Sequence, residues 1–254
     1  PNWSTSAGAQ AITSLIDEKP DVMVVHNPDV QSYARLLKKA EDAGIHVIQV
    51  NMRSSYSTAA FIGADYIGMG EQIGERLVEV CAPANGGSGK VAITQGVLTA
   101  AASAYQMKGI NTVLEQHPEI QLVSNQAADW DATKARNIAA TVIQQHPDLC
   151  AIAGFWDVMD VGTAAAIKDS GKDVYLLTQG GGNQSACDGL EDGTYDEVVV
   201  YSVPGQARDM VDMIKQLFQL NPEAGTMKTT LFTPLDFLTK ANMKPGSCWS
   251  LPGQ

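Results

Sequence analysis

Apolar and polar positions follow two periods along the chain. Across 5–19, Ala9, Ile12, Leu15 and Ile16 recur at helical spacing, and Pro20 ends the run. The block 21–26 is short and nearly continuous in apolar residues, as a strand buried on both faces should be. Asn27-Pro28-Asp29 turns the chain into a predicted helix over 30–43, closed by Gly44, and 46–51 reads as the next strand. Strand, helix, strand in that order predicts a βαβ unit and a parallel sheet. A short extended piece follows at 61–65, leading into a helix from about 66 to 80. Strands are then predicted at 90–95, 120–126, 151–155 and 174–179, with helices at 103–116, 132–145, from 157 onward and around 184–191. A β-branched strand at 196–202 is closed by Pro204, a long helix covers 205–220, and two short extended pieces fall at 229–233 and 235–238.

The βα units form two clusters, separated by the extended piece at 61–65, and the end of the 196–202 strand can carry the chain back to the first. This predicts an α/β protein with two doubly wound, Rossmann-like lobes, non-contiguous in sequence and facing each other across a cleft. The stretch 150–168 sets the chemistry. Its strand runs into Trp156 and Asp157, with Asp157 suited to cap the following helix, on which Val158, Val161, Ala165 and Ile167 or Lys168 fall near one face. In open α/β sheets ligands bind at such carboxyl strand ends. An indole ring beside a carboxylate suits a small polyhydroxylated ligand.

The bulk numbers narrow this picture. A net charge of −11 over 254 residues argues against nucleic acid and anionic membranes as partners, and no apolar run approaches a membrane span. Cys81, Cys150, Cys187 and Cys248 form no CxxC, which leaves four buried thiols or one or two disulfides open. The histidines keep no metal-like spacing with cysteines or carboxylates, so neither metal, cofactor nor catalysis is expected. Gly180-Gly181-Gly182 matches no phosphate-binding pattern and reads as a tight turn that gives a ligand room. Asn2-Trp3-Ser4 reads as a turn after a strand that the given sequence lacks.

Several segments together resemble a known family. They are 20–29 (PDVMVVHNPD), 43–51 (AGIHVIQVN), Ile62-Gly-Ala-Asp65, Gln95-Gly96 with Lys108-Gly109-Ile110, Ala128-Asp-Trp-Asp131, and His146-Pro-Asp148 ahead of Trp156-Asp157. In order and spacing, over essentially the whole chain, they resemble the ribose-type (type I) periplasmic sugar-binding proteins of ABC transporters, whose core is shared with LacI-type repressors. The resemblance implies two lobes joined by three hinge crossings, near 64–65, 202–203 and 236–237, that close on the ligand. The lobes would then be 1–64 plus 203–236, incomplete for want of a first strand and helix, and 65–202 plus 237–254.

By that match the ligand contacts are Asn51, Arg53, Tyr105, Trp130, Trp156, Asp157, Gln179 and Ser202. Asn51 stands where ribose binders carry the carboxylate of an Asp-Arg pair, with Arg53 one residue late. Ala104 replaces an arginine, Trp156 an amide residue, Gly180 an aspartate and Ser202 a glutamine. These departures point to a neutral sugar or polyol other than ribose. Each residue also has a plainer reading: packing for Trp130 and Trp156, a helix cap for Asp157, a solvated loop for Arg53. The resemblance further implies a bacterial periplasmic location after signal-peptide removal, a monomer, and delivery to an ABC permease without insertion into the membrane. In that compartment disulfides are expected, Cys187 with Cys248 and then Cys81 with Cys150. The competing reading is the effector-binding core of a LacI-type regulator lacking its DNA-binding head, which should keep free thiols.

Overall fold

The computed structural model describes residues 4–251. The predicted turn at Asn2 and Trp3 lies outside the described residues. Ten strands and eight α-helices follow in chain order among them. The chain divides into two compact units. Unit 1 comprises Pro1–Asp65, Thr99–Ala101 and Val203–Pro234; unit 2 comprises Tyr66–Leu98, Ala102–Ser202 and Leu235–Gln254.

Unit 1 holds α1 (Thr5–Glu18), β1 (Val22–Val25), α2 (Ala34–Asp42), β2 (His46–Val50) and β3 (Ala60–Gly63). Unit 2 then supplies α3 (Tyr66–Cys81), β4 (Lys90–Gln95), α4 (Ala101–Leu114), β5 (Gln121–Ala127), α5 (Ala132–Gln145), β6 (Ala151–Gly154), α6 (Asp157–Ser170), β7 (Tyr175–Gly180), α7 (Gln184–Asp192) and β8 (Glu197–Val200). The chain returns to unit 1 through α8 (Val203–Leu220) and β9 (Thr229–Phe232), and ends in unit 2 with β10 (Asp236–Thr239).

The first sheet has the order β1-β2-β3-β9, and every pair in it is parallel. The second has the order β10-β8-β7-β6-β4-β5, parallel except where β10 runs antiparallel along β8. Helices between parallel strands cover both sheet faces, so β3, β6 and β8 are buried at every position. On one side of the first sheet, Ile12 and Ile16 of α1 and Leu37 of α2 pack on Met23, Val25 and Val47. Met213 and Leu217 of α8 pack with Ile48 and Ile62.

Four local expectations are corrected. The helix predicted over 30–43 starts only at Ala34, because the Asp29 carboxylate accepts from the Gln31 and Ser32 backbone N–H groups at 2.8 and 2.7 Å and forms a turn there instead. The extended piece at 61–65 is no mere crossing. Residues 60–63 form β3, an interior strand paired with β2 and β9, and only 64–65 lead on to α3. Helix α8 begins at Val203, with Pro204 in its first turn, where a missing N–H costs nothing. Finally, α6 turns the predicted apolar face outward. Val158 and Val161 are each 48% exposed, while Asp157, Met159, Asp160 and Thr163 are buried.

Candidate functional site

The carboxyl strand ends of each unit collect the polar and aromatic side chains. In unit 1, Asn51 follows β2 at φ 58°, in the left-handed region that Asn tolerates better than most residues. Its N–H donates to Ile62 O at 2.7 Å, and a Cβ on Gly63 would lie 2.8 Å from Asn51 Cα. Only a glycine lets β3 come this close.

The loop beyond Asn51 is held from beneath by two buried amides. Asn27 Nδ2 donates to Gln49 Oε1 at 2.9 Å and to Met52 O at 2.8 Å. Gln49 Nε2 donates to Tyr56 O and Thr58 Oγ1, and Gln49 Oε1 also accepts from Ser54 N–H. This network anchors the loop that carries Arg53, whose guanidinium stands 5.9 Å from the Phe61 ring centroid, in cation–π range. Sequence reasoning missed Asn27 and Gln49 as anchors. The available signal was an amide at the end of each of two otherwise apolar strands.

In unit 2 the aromatic pair forms. Trp130 and Trp156 meet edge to face, with centroids 6.3 Å apart, over Ala128, Ala135 and Met159. Both rings are half-buried. The Trp130 ring lies against the backbone of Gly96, where a Cβ would approach three ring atoms to 2.2 Å. Asp129 and Trp130 both hold positive φ, 53° and 64°, in the turn between β5 and α5. Asp131 then caps α5, accepting from Lys134 N–H at 2.8 Å.

Asp157 does not take the predicted cap position. It is the first helical residue, Trp156 occupies the N-cap, and the carboxylate accepts from Val158 N–H at 2.8 Å. The reason is visible at the end of β7. A Cβ on Gly180 would lie 2.3 Å from an Asp157 carboxylate oxygen, so the carboxylate fills the space a side chain at 180 would start from. A carboxylate from α6 thus lies in the space beside position 180. Burial pushes the Asp157 carboxyl up to about 6. Next to it, Asp160 fills the space beside Gly154 and accepts from Thr178 Oγ1 at 2.6 Å and Thr163 Oγ1 at 3.1 Å. Fully buried, it is pushed up to about 7. Tyr195 braces this turn through its hydroxyl, which donates to Asp157 O at 2.8 Å.

Gln179 is buried and turned to the sheet. Its Nε2 donates to Phe155 O at 2.6 Å, while its Oε1 has no protein partner. Tyr105 lies half-buried on α4, and Ser202 leaves β8 at φ 47°. Gln95, which the sequence analysis passed over as a contact, donates to Asn125 Oδ1 at 2.5 Å across the ends of β4 and β5. Unit 2 therefore carries Trp130, Trp156 with Asp157, Gln179 and Ser202 at the carboxyl ends of β5, β6, β7 and β8, with Tyr105 on α4.

Six non-glycine residues among those described hold positive φ: Lys19, Asn51, Asp129, Trp130, Ser202 and Asn221. Lys19 and Asn221 end helices, the usual place for that conformation. The other four follow strands in the region just described. Strained residues of this kind cluster at functional sites. Among the described residues no group of three or more His, Cys, Asp or Glu is arranged to hold a metal ion, and no helix is long and apolar enough to cross a membrane.

Two α/β units with parallel sheets, each with polar strand ends, have the architecture of type I periplasmic binding proteins. Residues 1–222 match the family model described as a periplasmic binding protein domain, and the chain belongs to that family. It is 27% identical to the ribose import binding protein of Bacillus subtilis over 182 residues, covering 71% of this chain and 57% of that protein. It is 28% identical to a D-ribose/D-allose-binding protein of Pseudomonas aeruginosa, covering 66% of this chain and 53% of the relative. The chain thus spans little more than half the length of these relatives.

Among solved structures, it is similar to a solute-binding protein of an ABC transporter from Agrobacterium vitis with bound D-fucose. The TM-score is 0.83 at 22% identity, over 96% of this chain and 83% of that one. A Burkholderia graminis solute-binding protein in complex with D-arabinose gives 0.81 at 24% identity, over 94% and 82%.

Proposed function

We propose that this chain captures a neutral sugar or polyol and delivers it to an ABC importer from the bacterial periplasm. The observation that carries the reading is the edge-to-face pair of Trp130 and Trp156 beside the carboxylate of Asp157. Aromatic faces pack against the C–H surfaces of sugars, and each buried ligand hydroxyl needs a partner or costs about 1–3 kcal/mol. Asp157, Asn51, Arg53, Tyr105, Gln179 and Ser202 are the proposed partners. The relatives named for ribose, allose and xylitol support the substrate class. Pairing of all four cysteines, Cys81 with Cys150 and Cys187 with Cys248, favours an oxidising compartment over the cytosolic regulator reading. The proposed working form is a monomer that engages a membrane permease.

A thermal-shift screen of pentoses, hexoses and polyols identifies the ligand. Titration of Trp156→Ala with that ligand should then show affinity weakened more than tenfold with the fold intact. Unchanged affinity refutes the aromatic platform.

A further inference from the structure

The carboxy-terminal tail reaches back to the strand-end region of unit 2. Between β7 and α7 the chain passes through Gly180-Gly181-Gly182-Asn183, with Gly182 at φ 75°. Three successive glycines have no side chains to pack and lose more conformational freedom on ordering than other residues, so such a turn needs outside contacts to hold one shape. Trp249 supplies them. Its indole Nε1–H donates to Gly181 O at 2.8 Å, and its backbone N–H donates to Gly182 O at 2.9 Å. Trp249 and Asn183 also form an isolated parallel bridge. The tail thus adds one residue of strand to the glycine turn.

The residue before Trp249 closes the circuit. Cys248 is disulfide-bonded to Cys187, which lies on α7, the helix that the turn enters. Turn, helix, disulfide and tryptophan form one ring of contacts. This ring bears on the neighbourhood of Asp157, whose carboxylate rests against Gly180. It also bears on Asn183, whose Oδ1 is buried with no protein partner at the same turn.

We infer that Trp249, tethered by the Cys187–Cys248 disulfide, is a positioning residue for the ligand site, holding the glycine turn in the shape that keeps Gly180 against the Asp157 carboxylate. The inference rests on the sugar-binding reading for its consequence, but not for the clamp itself. Reduction of this disulfide releases the tail, loosens the turn and weakens ligand binding. The other disulfide, Cys81–Cys150, joins α3 to the start of β6 and has no part in the ring.

The test compares Trp249→Phe, which keeps an aromatic ring but removes the indole donor, with the paired change Cys187→Ala and Cys248→Ala. The control pair is Cys81→Ala and Cys150→Ala. Two readouts are taken at equal temperature. One is amide hydrogen exchange at position 249 and at Tyr201, whose N–H donates to Gly180 O at 3.2 Å. The other is affinity for whichever of D-ribose, D-allose, D-fucose and xylitol the native protein binds.

Both clamp variants should exchange at least tenfold faster at these amides and bind at least fivefold more weakly, while the control pair changes neither. Native exchange rates in both clamp variants overturn the clamp. Faster exchange with native affinity overturns its role in binding, as does an equal affinity loss in the control pair, which marks general loosening. A native protein that binds none of these probes and nothing in the screen of pentoses, hexoses and polyols removes the sugar-binding reading, and with it the role in binding, while the exchange arm alone still decides the clamp.

Discussion

Asp160 makes the stability of unit 2 depend on pH in a direction that can be worked out. Its carboxyl is fully buried and accepts from Thr178 and Thr163, and burial lifts it from 3.8 to about 7. Asp157 and Tyr195 are its titratable neighbours, and the former adds to the upward push. A carboxyl raised on folding favours the protonated native state. Its contribution is therefore fully present below the unfolded value near 4 and is lost as pH rises through about 7. The interval from 3.8 to about 7 corresponds to about 4 kcal/mol, lost mostly between pH 4 and pH 8. For a domain of this size that is on the order of 10 °C in melting temperature.

Asp160→Asn removes the titration and keeps an acceptor for Thr178. The assay is a series of thermal melts of both proteins from pH 4 to pH 8. The variant should melt higher than the native protein at pH 8, and the gap should close or reverse below pH 5. Parallel melting curves across the range refute the assignment of a neutral buried carboxyl to Asp160.

Other perturbations test other parts of the fold. Gly96→Ala places a methyl group on the Trp130 ring, and overpacking there should cost about 1–3 kcal/mol and shift tryptophan emission. Native stability and native emission would show that the ring does not rest on Gly96. Glu41 is buried and accepts from Lys228 Nζ at 2.7 Å, Tyr56 Oη at 2.9 Å and Ala59 N at 2.6 Å. Glu41→Ala leaves all three donors without this acceptor and should destabilise unit 1 by about 3–5 kcal/mol in denaturant titrations, with Glu41→Gln losing less. Equal effects from the two variants refute a polar role for Glu41.

Most of the fold was legible in the sequence, because parallel strands buried on both faces read as short apolar blocks and the helices between them keep their own period. Val22–Val25, His46–Val50, Lys90–Gln95 and Ala151–Gly154 all stand inside predicted strands. The boundaries failed where a side chain competed with the backbone, as Asp29 did ahead of α2. The face of α6 failed for a different reason. Val158 and Val161 fall on one apolar face, but a buried aspartate is tolerated inward only when hydroxyl donors meet it and a glycine makes room. Thr178 and Gly154, which do so for Asp160, are distant in sequence or carry no side chain to reveal the arrangement.

The site divides in the same way. The order of residues along the chain places these side chains at strand ends: Asn51 and Arg53 in one unit, Trp130, Trp156, Asp157 and Gln179 in the other. Local order does this, since each follows or ends a strand. Which of them meet depends on packing between elements far apart in the chain. Trp130 finds Trp156 because Gly96 leaves room for its ring, and Asp157 occupies the place that a side chain at 180 would have taken. Trp249 reaches the glycine turn from 68 residues away along the chain because a disulfide holds the tail beside it. Spacing along a chain records periodicity. It does not record the empty volume beside a glycine, and that volume is what brought these side chains together.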